Sequence, residues 1–119
     1  MPVRLHFRLK GVWDETAVQP GKVWLNGKPL NPAPSQKVVN HSPDGFAWGY
    51  AGSGPAQLAL AILLKLLPKD FARSEYQDFK FDVIQRLPQG SFEEREITWE
   101  FTPMSHAEVP GTEGQETQE

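Results

Sequence analysis

The stretch Gly49-Tyr-Ala-Gly-Ser-Gly-Pro-Ala-Gln-Leu-Ala-Leu-Ala-Ile-Leu-Leu-Lys-Leu-Leu67 decides how the rest of the chain must fold. Pro55 suits a first helical turn, where its missing N–H costs nothing. Ser53 or Gly54 is the expected N-cap, and with Gly54 as cap Gln57 falls at N3 and can reach back to it. The helix expected over Ala56–Leu67 is apolar nearly all round. Only Gln57, Ala61 and Lys65 line up on a narrow polar stripe, so the helix must be covered on most sides and stand at the centre of the fold. Pro68 closes it.

Working outward, Ser74-Glu-Tyr-Gln77 matches a capping box and marks a second helix starting near Ser74. Tyr76, Phe79, Val83 and Leu87 share one face, with Ala72 and Ile84 at its edges. Asp82 and Arg86 are spaced to pair, Pro88 stops the helix, and Phe81 falls about 140° off the apolar face. Ile97, Trp99 and Phe101 alternate with polar residues as a last strand. Upstream, Val3, Leu5, Phe7 and Leu9 alternate with Arg4, His6, Arg8 and Lys10, a half-buried strand that Gly11 is expected to end. Asp14–Gly21 reads as a loop. In Lys22-Val-Trp-Leu-Asn-Gly-Lys-Pro-Leu30 the Asn26-Gly27 pair tolerates the positive φ of a type I′ hairpin turn, and Pro29 puts the return strand at an edge. Asn31–Ser35 reads as a Pro-rich connection. Lys37–Asn40 and Gly45–Tyr50 read as short strands around a Ser42-Pro-Asp-Gly45 turn.

The result is an α+β class: an antiparallel sheet of four or five strands on two helices over residues 1–102, with a disordered acidic tail over 103–119. The expected core is Phe7, Trp24, Leu25, Leu58, Leu60, Ile62, Leu63, Phe79, Val83, Trp99 and Phe101. Trp24 and Leu25 are adjacent, so on a regular strand only one of them faces inward.

The 119 residues carry 12 Lys+Arg against 15 Asp+Glu, a net charge of −3, and no Cys. Zero Cys excludes disulfides, thiol catalysis and Cys-ligated zinc. Residues 103–119 hold Glu108, Glu113, Glu116 and Glu119 without Lys or Arg, leaving 12 basic and 11 acidic residues in 1–102. That near-neutral balance argues against non-specific nucleic-acid binding. The N-terminus has no signal-peptide pattern and the longest apolar run is too short to span a bilayer, so a cytoplasmic location without membrane attachment is expected. His6, His41 and His106 are scattered, and Asp78 and Asp82 are two carboxylates on one helix flank. No metal and no cofactor is expected.

Trp48-Gly-Tyr50, Gly52-Ser-Gly-Pro-Ala-Gln-Leu-Ala59, the helix segment Tyr76-Gln-Asp-Phe-Lys80 and the strand with Trp99 together resemble a family of small uncharacterised bacterial and phage proteins, a domain of unknown function. The resemblance runs over roughly residues 22–101. It implies no activity, only an accessory role such as modulating a host system.

The loop Gly49–Pro55 is the first candidate site. A helix start carries unpaired N–H groups and partial positive charge; Gly52, Ser53, Gly54 and Gln57 would then hold a phosphate or carboxylate. No Lys-Ser/Thr follows the glycines, and Gly-x-Gly-x-x-Gly fails after Gly54, so neither nucleotide motif is present. The structural alternative is a tight turn whose small residues let the helix pack closely. Trp48 and Tyr50 would stack a ligand or anchor a partner, or else cover the helix end. With Phe81 they are the interface candidates. His41 and Asp44 are spaced for general-base chemistry, or form a plain polar turn. Arg4, His6, Arg8 and Lys10 make a basic stripe. It would contact phosphates, or be a solvated sheet face neutralised by Glu93, Glu94, Glu96 and Glu100 if the first and last strands pair.

The function expected first is a non-catalytic binding module, phage- or mobile-element-associated, with no catalytic residue. It would act through a protein interface or a small anionic ligand at Gly52–Ala56. A small hydrolase or nucleotide-processing enzyme using His41 and Asp44 is the alternative, and nucleic-acid binding through Arg4, Arg8 and Lys10 the third. A homodimer is among the assemblies open to it.

Overall fold

A computed structural model of the chain describes residues 1–103. The acidic tail lies outside these except for Pro103. The architecture is α+β. Strands β1 (Val3–Trp13), β2 (Gly21–Leu25), β3 (Lys28–Pro29) and β4 (Phe92–Phe101) form one antiparallel sheet in the order β3-β2-β1-β4. Helices α1 (Ala33–Val38), α2 (Ser53–Leu66) and α3 (Lys69–Asp82) follow the hairpin, and a 3-10 turn (Ile84–Arg86) leads into β4.

The first and last strands pair in the register Val3↔Phe101 to Leu9↔Arg95. Phe7 and Leu9 thereby face the helices beside Trp99 and Phe101, all buried. On the other face the basic stripe meets acidic partners: Arg4 with Glu100 at 3.4 Å, His6 with Glu96 at 3.2 Å and Arg8 with Glu94 at 3.5 Å. The Asn26-Gly27 turn forms as expected, with φ 52° and 80°. Leu25 faces the core, whereas Trp24 lies on the other face with the Lys10 ammonium 5.3 Å from its ring centre. Val83 is only half-buried.

Gly11 does not end β1. The strand continues to Trp13 because Gly11 and Gly21, on neighbouring strands, leave room for one indole. A Cβ on Gly11 would stand 2.8 Å from the Trp48 ring and 2.5 Å from Phe92, and one on Gly21 would stand 2.2 Å from the Phe46 carbonyl oxygen. These glycines serve close approach, not chain termination.

The segment expected to hold strands between 37 and 50 holds none. Residues 33–38 form α1, with Pro34 in its first turn. Gly45–Tyr50 is irregular, and its residues Gly45–Trp48 are buried beside the start of α2. Among the described residues the helix count is accordingly three, not two. Helix α3 starts at Lys69, directly after Pro68, and not near Ser74. Inside the helix the Ser74 hydroxyl donates to the Phe71 carbonyl at 3.2 Å, so it caps nothing. Asp82 does not pair with Arg86. Its carboxylate accepts the Trp99 indole N–H at 2.9 Å and ties the end of α3 to β4.

Helix α3 also buries a carboxylate, Glu75. Burial, then repulsion from Asp78, raises its pKa, against a weak opposing bond from the Ser74 hydroxyl. A raised folded-state pKa means the contribution to stability is fully present below the unfolded pKa and is lost as pH rises through the folded one. Glu75→Gln is therefore expected to be more stable than the parent at neutral pH, and the gain should vanish at about pH 3. Urea melts at both pH values check this; an equal gain at both would refute it.

Candidate functional site

The first turn of α2 is built from the inside. Gly52 is the N-cap, with no side-chain cap bond. The expected reach of Gln57 back to Gly54 is not made. Gln57 is instead 0% exposed and spends its whole carboxamide on the chain before the helix. Its Oε1 accepts the His41 N–H at 2.7 Å and the Ser42 N–H at 3.0 Å. Its Nε2 donates to the Ser35 hydroxyl at 2.8 Å and the Val39 carbonyl at 3.1 Å. Two donors and two lone pairs are all that an amide side chain has. Gly54 is equally committed: a Cβ there would stand 2.6 Å from that of Ala47.

Little of the helix start stays open. Pro55 has no N–H, and the Ala56 N–H closes onto the Gly52 carbonyl at 3.1 Å. That leaves the Ser53 and Gly54 amides. Both residues line a groove of about 250 Å³ together with Asp44, Phe46, Tyr50 and Trp13. The negative charge of Asp44 in that lining disfavours an added anion.

The aromatic pair separates. Trp48 is 3% exposed; its indole N–H donates to the Gly90 carbonyl at 2.8 Å, and its ring stands edge-on to Trp13 and Phe92 with centroids 5.7 and 5.5 Å apart. It is core. Tyr50 is 49% exposed and lies beside Trp13, 37% exposed. Trp13, Tyr50, Trp48, Gln89 and Gly90 line a second, mainly apolar cleft of about 240 Å³. Its walls are stitched together: the Gly49 N–H donates to the Ile84 carbonyl at 3.1 Å, and Gln89 donates to the Gly49 carbonyl at 3.2 Å. Thus Trp13 and Tyr50 wall both grooves. Asp14, next to Trp13, accepts the Thr16 hydroxyl and N–H, which lowers its pKa and holds it ionised. Phe81 is as exposed as Tyr50 but lines neither groove; Lys80 stands over its ring at 4.3 Å.

The other candidates do not assemble. His41 shares a 2.7 Å hydrogen bond with the Tyr76 hydroxyl, while Asp44 lines the groove at Ser53, which His41 does not reach. Arg4 and Arg8 are in ion pairs, and Lys10 covers Trp24. Among the described residues no group of three or more His, Cys, Asp or Glu is placed to hold a metal, and no helix is long and apolar enough to cross a membrane.

Two site features escape a reading by pattern. Trp13 sits beyond the glycine taken as the strand's end. The role of Gln57 had a signal: an amide on a helix apolar all round must be buried and must therefore find partners. Gln57→Leu strands two N–H groups and two oxygens, and is expected to cost about 2–4 kcal/mol. A melting temperature lower by roughly 10 °C would match that cost. A calorimetric loss below about 1 kcal/mol would show that the four bonds are replaced by solvent.

Comparison with curated proteins and with solved structures finds no match. A family model matches residues 15–107, which takes in the hairpin, the three helices described, β4 and the lining of both aromatic grooves except Trp13. The chain thus belongs to the family of unknown function DUF6166.

Proposed function

We propose that the chain is a non-catalytic binding module that engages a partner protein through the Trp13–Tyr50 face. One observation carries this reading: two exposed aromatic side chains, far apart in sequence, wall two adjoining grooves over a rigid floor. Exposed aromatics beside concave apolar surface are what binding hot spots are made of, because they bury large area at low entropic cost. The floor is pre-organised by the Trp48 indole bond and the Gln89–Gly49 bond, so little ordering remains to be done on association. A small anion at the helix start is less well supported, since Gln57 and Gly54 are committed inside the fold and Asp44 shares the groove. Hydrolysis through His41 and Asp44 is less well supported, since the His41 ring is engaged by the Tyr76 hydroxyl. The phage- or mobile-element-associated accessory role belongs to this proposal through the resemblance of the loop and helix motifs alone.

The test is site-directed photocrosslinking in the native host. A photoreactive residue in place of Tyr50 should give a discrete protein adduct, and Trp13→Ala in the same chain should abolish it. The same probe in place of Val18, 94% exposed but outside both grooves, should give none. Equal adducts at positions 50 and 18, or none at 50, would remove the proposal.

A further inference from the structure

A different groove lies at the other end of α2. Leu25, Leu30 and Leu66 form its apolar lining, Lys28 and Lys65 flank it, and its volume is about 360 Å³. It continues past Leu30 and Lys65 toward Pro34 and Ala61. Over residues 21–69 the only acidic residue is Asp44, against Lys22, Lys28, Lys37, Lys65 and Lys69. Asp44 lines the groove at the opposite end of the helix.

On the sheet's outer face Arg4, His6 and Arg8 each meet a glutamate, and Lys10 stands over the Trp24 ring. Among the described residues neither Lys28 nor Lys65 has such a partner. We infer that this groove is a second interaction surface, and that it takes an acidic peptide segment of a partner protein carrying a leucine-sized anchor. The apolar lining receives the anchor, and the two ammonium groups meet carboxylates on either side. Strand addition is not the mode: Pro29 on the edge strand has no N–H, and β3 is only two residues long. The recognition is therefore by side chains. A nucleic-acid backbone fits less well, because phosphates have no use for the leucine lining.

This surface stands independently of the Trp13–Tyr50 reading, and the test keeps them apart. The full isotope-labelled chain is titrated with the peptide Glu-Glu-Leu-Leu-Glu-Glu-Leu-Glu-Glu, and its amide signals are followed by NMR. Saturable shifts are expected at Leu30, Lys65 and Leu66, with Tyr50 and Ser53 unmoved. Lys28→Glu with Lys65→Glu, both at exposed positions, should weaken binding by about tenfold or more. Replacing every Glu of the peptide by Gln should do the same. Shifts centred on Tyr50, equal binding of the Gln peptide, or no effect of the lysine variants would overturn the inference. So would tighter binding of a DNA duplex at the same amides. Movement of the groove signals on changing Glu108, Glu113, Glu116 and Glu119 to Gln, with no peptide added, would assign the groove to the chain's own terminus and overturn the partner.

Discussion

The fold depends on one buried carboxamide. Between the end of α1 and the start of α2 the backbone has no ladder and no long helix to satisfy it, yet it runs against the central rod. Gln57 supplies from the rod what a neighbouring strand would have supplied: two acceptor positions for His41 and Ser42 and a donor for Val39. Its remaining proton goes to Ser35 in α1, whose hydroxyl in turn donates to Pro32 at 2.7 Å. Because Gln57 and Ser35 are buried, each bond is electrostatically strong, and each group would be costly if left alone. The same contacts bring His41 to Tyr76, so α1, α2 and α3 are joined through one side chain and its neighbours.

With that loop held, Trp48 can be placed. It plugs the end of the sheet where Gly11 and Gly21 leave space, and Trp13 and Phe92 close around it edge-on. The opposite sheet edge, β4, is handled by charge. Its outer-face side chains Glu94, Glu96 and Glu100 are compensated within the chain by Arg8, His6 and Arg4. Exposed pairs of this kind add little stability. They matter for what they prevent. A two-fold antiparallel pairing of β4 with a second copy, outer faces aligned and centred between residues 94 and 98, sets one of these glutamates opposite another in every register. Like charges directly opposed disfavour a ladder of that geometry.

Local signals were legible where local physics decides. Asn26-Gly27 has the φ freedom that a two-residue hairpin needs, and it forms one. The apolar rod, the first and last strands, and the outlying Phe81 all follow from periodicity; that those two strands pair does not. The misreadings share one cause: a residue type with a local meaning was claimed by a distant partner. Gly11 looks like a terminator but serves the Trp48 ring. Ser74 looks like a cap, yet Pro68 has already started the helix. Val38 and Val39 favour a strand by propensity, but no strand edge is offered to them, and α1 packs Ser35 against Gln57 instead. Gln57 looked like the polar margin of a helix and is its most committed residue. The loop's glycine spacing was visible; that Ala47 fills the place beside Gly54 was not.

The two surface grooves inherit their character from α2. The helix begins at one groove and ends at the other, about 18 Å apart at 1.5 Å per residue. At its start no side chain caps the amides, and Asp44 shares the groove that Ser53 and Gly54 line. At its end the carbonyls and partial negative charge are met by Lys65. Lys65 thus serves the helix end as well as the groove. Lys28 serves no helix end: it comes from the hairpin side of the groove. Tyr50 is likewise no part of the buried core, whereas Trp13 packs edge-on to Trp48 and leaves only part of its ring to the surface. What distinguishes surface kept for binding from surface shaped by folding is this remainder, a side chain that the fold places but does not use. Because α2 is buried along most of its length and cannot bend without opening the core, an occupant at one end has no soft path to the other. On the two proposals made above, the chain would act as a rigid spacer holding two chemically opposite surfaces, one aromatic and acidic, one apolar and basic, at a set separation.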